Sequence, residues 1–307
     1  MIDLIVLGAA AGGGFPQWNS NAPACRRARA DDPAAPSRTQ ASIAVSGDGA
    51  HWFVVNASPD LRAQIGQTPA LHPRHGLRST PIAGVILTGG EVDTVTGLLT
   101  LRERQPFTLL ATPPVLDLLD ANPIFEALDR SIVPRVPLAL DQPFALALPD
   151  GTPAGLTITP FAVPGKVPLY AESGPDPAAI VENGETIGLA MTDGVRHAYF
   201  IPGCARMTGP LRARLRGADL VFFDGTLWTD DEMLRAGVGQ KTGQRMGHMS
   251  VSGDGGTIDA FADLDVRRKV LIHINNSNPL LLADSPERQV AHQAGWEVSF
   301  DGMRITT

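Results

Sequence analysis

Short apolar runs bounded by glycine, proline and aspartate recur along the chain and read as strands. The first is "MIDLIVLG". The runs "ASIAVS" (41–46), "HWFVVNAS" (51–58), "IAGVILT" (82–88) and "FTLLAT" follow. Between them the spacing of apolar residues turns helical. "DTVTGLLTLRER" (93–104) predicts a helix with Asp93 placed to cap its start, and "PPVLDLLDAN" a helix opened by proline. Residues 131–164 carry short β runs broken by proline. "TIGLAMTDGVRHAYFIPG" (186–203) predicts a hairpin turning at Asp193-Gly194. The last third alternates: "MTGPLRARLRGA" helix, "DLVFFDGT" strand, "GGTIDAFADL" helix, "RKVLIHINN" strand, "DSPERQVAHQAG" helix, then "WEVSF" and "MRITT".

β-rich runs early and in the middle, with helix–strand alternation in both halves, predict an α/β (α+β) protein built as an αββα sandwich. A doubly wound α/β domain with a β insertion is the second choice. No repeat and no long linker divides the chain, so 1–307 is expected to be one domain. The least regular stretch, 19–40, reads as a surface excursion from the first strand.

Composition narrows the partners. Hydrophobic residues make up 43% of the 307, enough for a large core, and the net charge is -7. That charge opposes nucleic acid, because phosphate binding needs a basic face. The opening apolar run has no basic flank, contains Asp3 and breaks at Gly12-Gly13-Gly14, unlike a signal peptide. No run reaches the roughly 18 apolar residues of a membrane span. Two cysteines, Cys25 and Cys204, make no disulfide framework and fit a reducing compartment, so a cytoplasmic protein is expected.

The first turn, "GAAAGGGFPQW", follows a strand but misses the G-x-G-x-x-G spacing and has no Walker lysine. It reads as a tight turn, or as a loop whose glycines let a ligand approach the backbone. The second strand-end turn, "LTGGEVDT", offers Glu91 and Asp93, two residues apart. Taken alone they are a helix cap and a solvated acid. Other strand ends deliver polar groups as well: Asp224 from "DLVFFDGT", His273, Asn275 and Asn276 from "KVLIHINN", and Cys204 from "HAYFIPGC". His248 stands in a glycine-flanked loop. A histidine inside "VLIHI" is ordinarily a satisfied core residue, and these groups converge only if their strands are neighbours.

The blocks "LGAAAGGGFPQWN", "NASPDLR", "LLTLRE", "IPGCAR", "FDGT", "AGVGQKTGQRMGH", "IHINNSNP" and "DSPER" resemble the coenzyme PQQ synthesis protein B family nearly from end to end. The resemblance implies the metallo-β-lactamase fold, an αββα sandwich. It implies a place in biosynthesis of pyrroloquinoline quinone (PQQ), a redox cofactor made from a Glu-Tyr pair of a small precursor peptide. Members of the family have been described as aids to export of the cofactor and as iron-dependent hydroxylases of the tyrosine ring. Hydrolases of this fold carry H-x-H-x-D-H at the second turn. Here those histidine positions hold Gly89, Glu91 and Thr94, and only Asp93 remains. A two-zinc hydrolase is therefore not expected. The family usually keeps Asp-His at the end of the motif, where this chain has Asp93-Thr94. A hydroxyl is a poor ligand for Fe(II). The family's cysteine cluster for a structural zinc is reduced to "WNSNAPAC", with Ser20 and Ala22 in place of thiols, so that zinc is expected to be absent.

The resemblance leaves Glu91, Asp93 and His273 as the metal set for one Fe(II) or other divalent ion, and Thr94 leaves open that the ion is missing. His248 and Asp224 are the catalytic candidates, His248 as a general base. His273 needs a hydrogen-bond acceptor behind it to fix its tautomer. Arg62 and Lys166 are the cations expected to hold carboxylates of a small acidic, peptide-derived substrate or of PQQ, with Asn275, Asn276 and Cys204 beside them. Other proteins of the pathway and a second copy of the chain are compatible partners. Three readings stay open: a metal-dependent hydroxylase, a non-catalytic carrier of precursor or product, and a relative recruited to another peptide-modifying pathway.

Overall fold

In the computed structural model, which describes residues 1–172 and 179–307, period-2 alternation within the strands sorts apolar side chains onto two faces. The strands are β1 (Asp3–Gly8), β2 (Ser42–Ser46), β3 (Trp52–Val55), β4 (Ile82–Ile86), β5 (Thr108–Ala111), β6 (Arg135–Pro137), β7 (Phe144–Ala147), β8 (Pro153–Ala162), β9 (Ile187–Thr192), β10 (His197–Ile201), β11 (Leu220–Asp224), β12 (Lys269–Ile272), β13 (Trp296–Val298) and β14 (Arg304–Thr306). They form two seven-stranded sheets, ordered β14-β1-β2-β3-β4-β5-β6 and β13-β12-β11-β10-β9-β8-β7. In β1, Leu4 and Val6 enter the core between the sheets, while Ile5 and Leu7 face outward. In β11, Leu220 and Phe222 point inward, and Val221 and Phe223 pack under helices on the other side. The result is the expected αββα sandwich. Each sheet is mixed: β3 to β6 and β10 to β13 pair in parallel, and the other pairs are antiparallel. A single doubly wound sheet is excluded.

Two expected elements are shorter than their sequence pattern. The helix expected over 93–104 begins at Val92, holds α geometry only to Val95, and continues as a 3-10 turn over Thr96–Leu101. Asp93 does not cap it. Glu91 occupies the cap position without a side-chain cap bond, and Asp93 reaches His273 instead. The helix expected in "GGTIDAFADL" covers only Thr257–Ala260. The hairpin turns at Asp193-Gly194, where Gly194 has φ +91°. Among the described residues no helix is long and apolar enough to cross a membrane.

The excursion after β1 is held at both ends by bridges, Ala10 to Gln40 and Phe15 to Arg38. Arg29 donates to the carbonyls of Gln17 and Ser20, and Arg26 to that of Asn21. Cys25 is fully buried, its thiol 3.8 Å from Asn276 Oδ1.

What positions the site is the meeting of strand ends from both sheets. Ala10 bridges to Ile274 beyond β12, and Ile187 of β9 donates to the carbonyl of Thr88 beyond β4. Carboxyl ends of parallel strands from opposite sheets thereby face one another, the usual place for a ligand in α/β architecture.

Candidate active site

The turn after β4 is pinned from behind. Asn56, at the end of β3, has φ +66°, a left-handed conformation that asparagine tolerates better than most residues. Its Oδ1 accepts from Thr88 N, and its Nδ2 donates to Thr88 Oγ1, both at 2.9 Å. Ala57 N donates to Thr94 O at 2.8 Å, and Gly97 N to Ala57 O at 2.9 Å. A Cβ on Gly97 would lie 2.0 Å from Ser58 O, so only glycine allows the backbones to dock this closely. These contacts fix Asp93 and Thr94 at the edge of the first sheet.

The second sheet supplies the other half. His273 follows β12 with φ +61° and is held by its neighbour: Ile274 N donates to Ala9 O, and Ala11 N to Ile274 O. Its ring stacks on that of His248, centroids 5.2 Å apart. Asp224 is fully buried at the end of β11. Its Oδ2 accepts from His248 Nδ1 at 2.7 Å and from Cys204 N at 2.9 Å. Its Oδ1 accepts from Thr226 N at 3.0 Å and Thr226 Oγ1 at 2.6 Å. Burial raises the Asp224 carboxyl, but the charge and hydrogen bond of His248 outweigh that and hold it below the ordinary value. Asp93 balances the same way: burial opposes ionisation, and the bond to His273 wins. His273 is the mirror case, its protonated form disfavoured by burial and favoured more by Asp93, Asp224 and Glu91.

His273 Nε2 lies 3.0 Å from Asp93 Oδ2, a bond joining the two sheets. The Nδ1 of the same ring lies 2.8 Å from Thr226 Oγ1. One ring nitrogen therefore faces a hydroxyl and the other a carboxylate, which only accepts. With the ring neutral and its proton on Nδ1, the Nε2 lone pair meets Asp93 directly. That edge then calls for a proton or a cation between the two atoms. Such a donor pair suits one divalent ion.

These side chains open on a cavity of about 760 Å³. Val92, Leu169 and Tyr170 form an apolar, exposed part of its wall. Tyr170 is fixed by donating its hydroxyl to Gly90 O at 2.6 Å. Lys166 and Lys241 also line it. Lys166 is buried, its ammonium 3.1 Å from Val167 O, 3.1 Å from Glu172 and, in a longer ion pair, 3.7 Å from Glu91. Arg245 grips Glu172 through two bonds, 2.8 and 3.1 Å. Arg245 first and Lys166 second pull the Glu172 carboxyl down to about 2. Lys241 makes no ion pair among the described residues.

The expected residues divide. Asp93, His273, His248 and Asp224 form one connected group, and the ligand atoms of Asp224, His248 and His273 lie within 4.8 Å of one another. Glu91 turns to Lys166 rather than to His273, because a buried ammonium is the stronger attraction for its half-exposed carboxylate. Four residues expected to bind substrate do not line the cavity. Arg62 is exposed on the helix Leu61–Gln67. Cys204 is fully buried, its thiol pushed up to about 12 by burial, and it serves Asp224 through its backbone N–H. Asn275 donates to Ser277 Oγ at 2.6 Å. Asn276 donates to Gln17 Oε1 and ties the glycine turn to the β12 loop. Thr226, Lys241 and Tyr170 were not legible: each depends on a fold-level juxtaposition, and only the position of Thr226 two residues after Asp224 offered a hint.

The fold agrees with relatives. The β-lactamase superfamily domain model matches residues 51–274. The fold and the strand-end site thus define a member of the β-lactamase superfamily. A diphosphatase of the PhnP family shares the fold at TM-score 0.66 with 18% identity, aligned over 99% of this chain and 96% of its own. Within the superfamily, the chain belongs to the coenzyme PQQ synthesis protein B family. It is 61% identical over 303 residues to the coenzyme PQQ synthesis protein B of Gluconobacter oxydans, covering 99% of this chain and 98% of that one. It is 56% identical to that of Rhodopseudomonas palustris, with both chains fully covered. The crystal structure of Zn(2+)-bound PqqB from Methylobacterium extorquens superposes with TM-score 0.95 at 47% identity, covering 99% of this chain and all of its own.

Proposed function

We propose that this protein acts in PQQ biosynthesis as a metal-dependent hydroxylase of the Glu-Tyr-derived precursor. The observation that carries the proposal is the pair His273 Nε2 and Asp93 Oδ2, 3.0 Å apart at the cavity wall. An imidazole and a carboxylate suit a divalent ion of borderline hardness, and the Methylobacterium relative holds Zn(2+). Fe(II) bound there would supply the O₂ chemistry. Asp93 and His273 would hold the ion. His248, its Nδ1–H committed to Asp224, keeps Nε2 as the nitrogen able to take a proton. The wall of Val92, Leu169 and Tyr170 receives the aromatic ring. Lys241, free of internal partners among the described residues, is better placed than Lys166 to hold a substrate carboxylate. Lys166 would first have to give up Glu91 or Glu172.

One observation favours the carrier reading: Thr94, at the position where the family resemblance implies an imidazole, lines the cavity. The test is anaerobic loading with Fe(II), elemental analysis, and O₂ uptake with a Glu-Tyr-derived substrate. One equivalent of iron and substrate-dependent uptake support the hydroxylase. Substrate binding with neither iron nor uptake, and iron regained in Thr94→His, supports the carrier.

A further inference from the structure

We propose that Thr226 is a positioning residue that locks His273 in its Nδ1–H form and so aims the bare Nε2 at Asp93. The proposal rests on the metal reading above for its consequence, but not for its geometry.

A threonine hydroxyl has one hydrogen to give and two lone pairs to receive. Thr226 Oγ1 has four polar neighbours: Asp224 Oδ1 at 2.6 Å, His273 Nδ1 at 2.8 Å, His273 O at 3.0 Å and His248 Nδ1 at 3.1 Å. Its hydrogen goes to one of them. The shortest contact is to a fully buried, ionised carboxylate, which only accepts, and a hydrogen bond to a charged acceptor is the stronger kind. With the hydrogen on Asp224, or on the carbonyl of His273, which also only accepts, Oγ1 can only accept from the two ring nitrogens. His273 Nδ1 must then carry the proton. His248 Nδ1 carries one for a separate reason, its 2.7 Å bond to Asp224 Oδ2. Asp224 is thus the anchor of both rings, directly for His248 and through Thr226 for His273.

The hydroxyl is held as firmly as the rings. Thr226 is 4% exposed. Its N–H donates to Asp224 Oδ1, and its carbonyl accepts from Asn275 N at 3.0 Å and Asn278 Nδ2 at 3.3 Å. Burial and these backbone bonds leave little room for a rotated hydroxyl. Losing it frees His273 to place its proton on Nε2, where Asp93 would accept it. That tautomer satisfies Asp93 without any cation and blocks the nitrogen a metal needs.

The test compares Thr226→Val, which keeps the shape and removes the hydroxyl, with Thr226→Ser, which keeps the hydroxyl. Proton-detected ¹⁵N NMR of histidine-labelled, metal-free protein, at a pH where the rings are neutral, reads the tautomer. Titration with Zn(2+) reads the affinity. The wild type and Thr226→Ser should show the proton on His273 Nδ1 and bind within a few-fold of one another. Thr226→Val should move the proton toward Nε2 and weaken Zn(2+) by about tenfold to a hundredfold, the usual effect of losing a partner behind a metal-ligating histidine. A wild type with its His273 proton on Nε2 would overturn the proposal, and this result needs no variant to fold. So would a folded Thr226→Val with unchanged tautomer and affinity. If the wild type binds no Zn(2+), the metal reading falls by itself, and the ¹⁵N measurement still decides what Thr226 does.

Discussion

Asp93 and His273 are 180 positions apart in sequence and 3.0 Å apart in space, and each is useful only because of what stands behind it. Asp93 is fixed by a helix turn docked on residues 57–58, His273 by a left-handed backbone and the Thr226 hydroxyl. Removing either partner should lower divalent-ion affinity by about tenfold or more. Isothermal titration of Asp93→Ala and His273→Ala with Zn(2+) checks this, and Thr94→His should bind more tightly than the parent. The two lysines should also separate. Lys241→Ala should weaken an acidic ligand and leave the melting temperature unchanged. Lys166→Ala should lower the melting temperature, because it strands Glu91 and leaves Glu172 to Arg245 alone.

At the scale of elements, the site is a set of short turns tied by buried polar groups. Glu232, at the start of the short helix Glu232–Arg235, accepts from Ser277 Oγ at 2.6 Å and Trp228 N at 2.7 Å. It thereby ties that helix to the loop after β12. Burial raises its carboxyl from 4.5 to about 6. The raised value sets the sign: the neutral acid is favoured by the fold, so this contribution is complete below pH 4.5 and lost as pH rises through about 6. The loss is about 2 kcal/mol. Urea unfolding between pH 4 and 7 should show it in the wild type, and Glu232→Gln should flatten the profile in that window. Gly97→Ala should destabilise by about 2 kcal/mol or more, because its Cβ would strike backbone and neither strand end can retreat. Most elements were readable from periodicity, including the hairpin and the strands that deliver Asp224 and His273. The helix after β4 was overestimated because its apolar spacing continues through residues that the tertiary docking at Gly97 forces into a 3-10 turn.

Across the whole molecule, two sheets bury a common core and meet at one edge, where the cavity opens. The architecture was legible because β runs and helix–strand alternation appear in both halves. The grouping within the site was only partly so. Strand-end residues could be named one by one, but which of them face the cavity depends on crossings between sheets that no local pattern encodes. Cys204, Asn275 and Asn276 follow the right strands and point elsewhere for that reason, and Arg62 lies on the helix Leu61–Gln67. An ion held by Asp93 and His273 would join the sheets, so it should stabilise the entire fold. At a free concentration of 100 times its Kd, a divalent ion should add about 2.7 kcal/mol to unfolding in the wild type, and far less in His273→Ala.

The most direct test of the central claim is anomalous diffraction at the iron edge from crystals loaded with Fe(II) under anaerobic conditions. One strong peak is expected within bonding distance of both His273 Nε2 and Asp93 Oδ2. A peak elsewhere, or none at full loading, would contradict it.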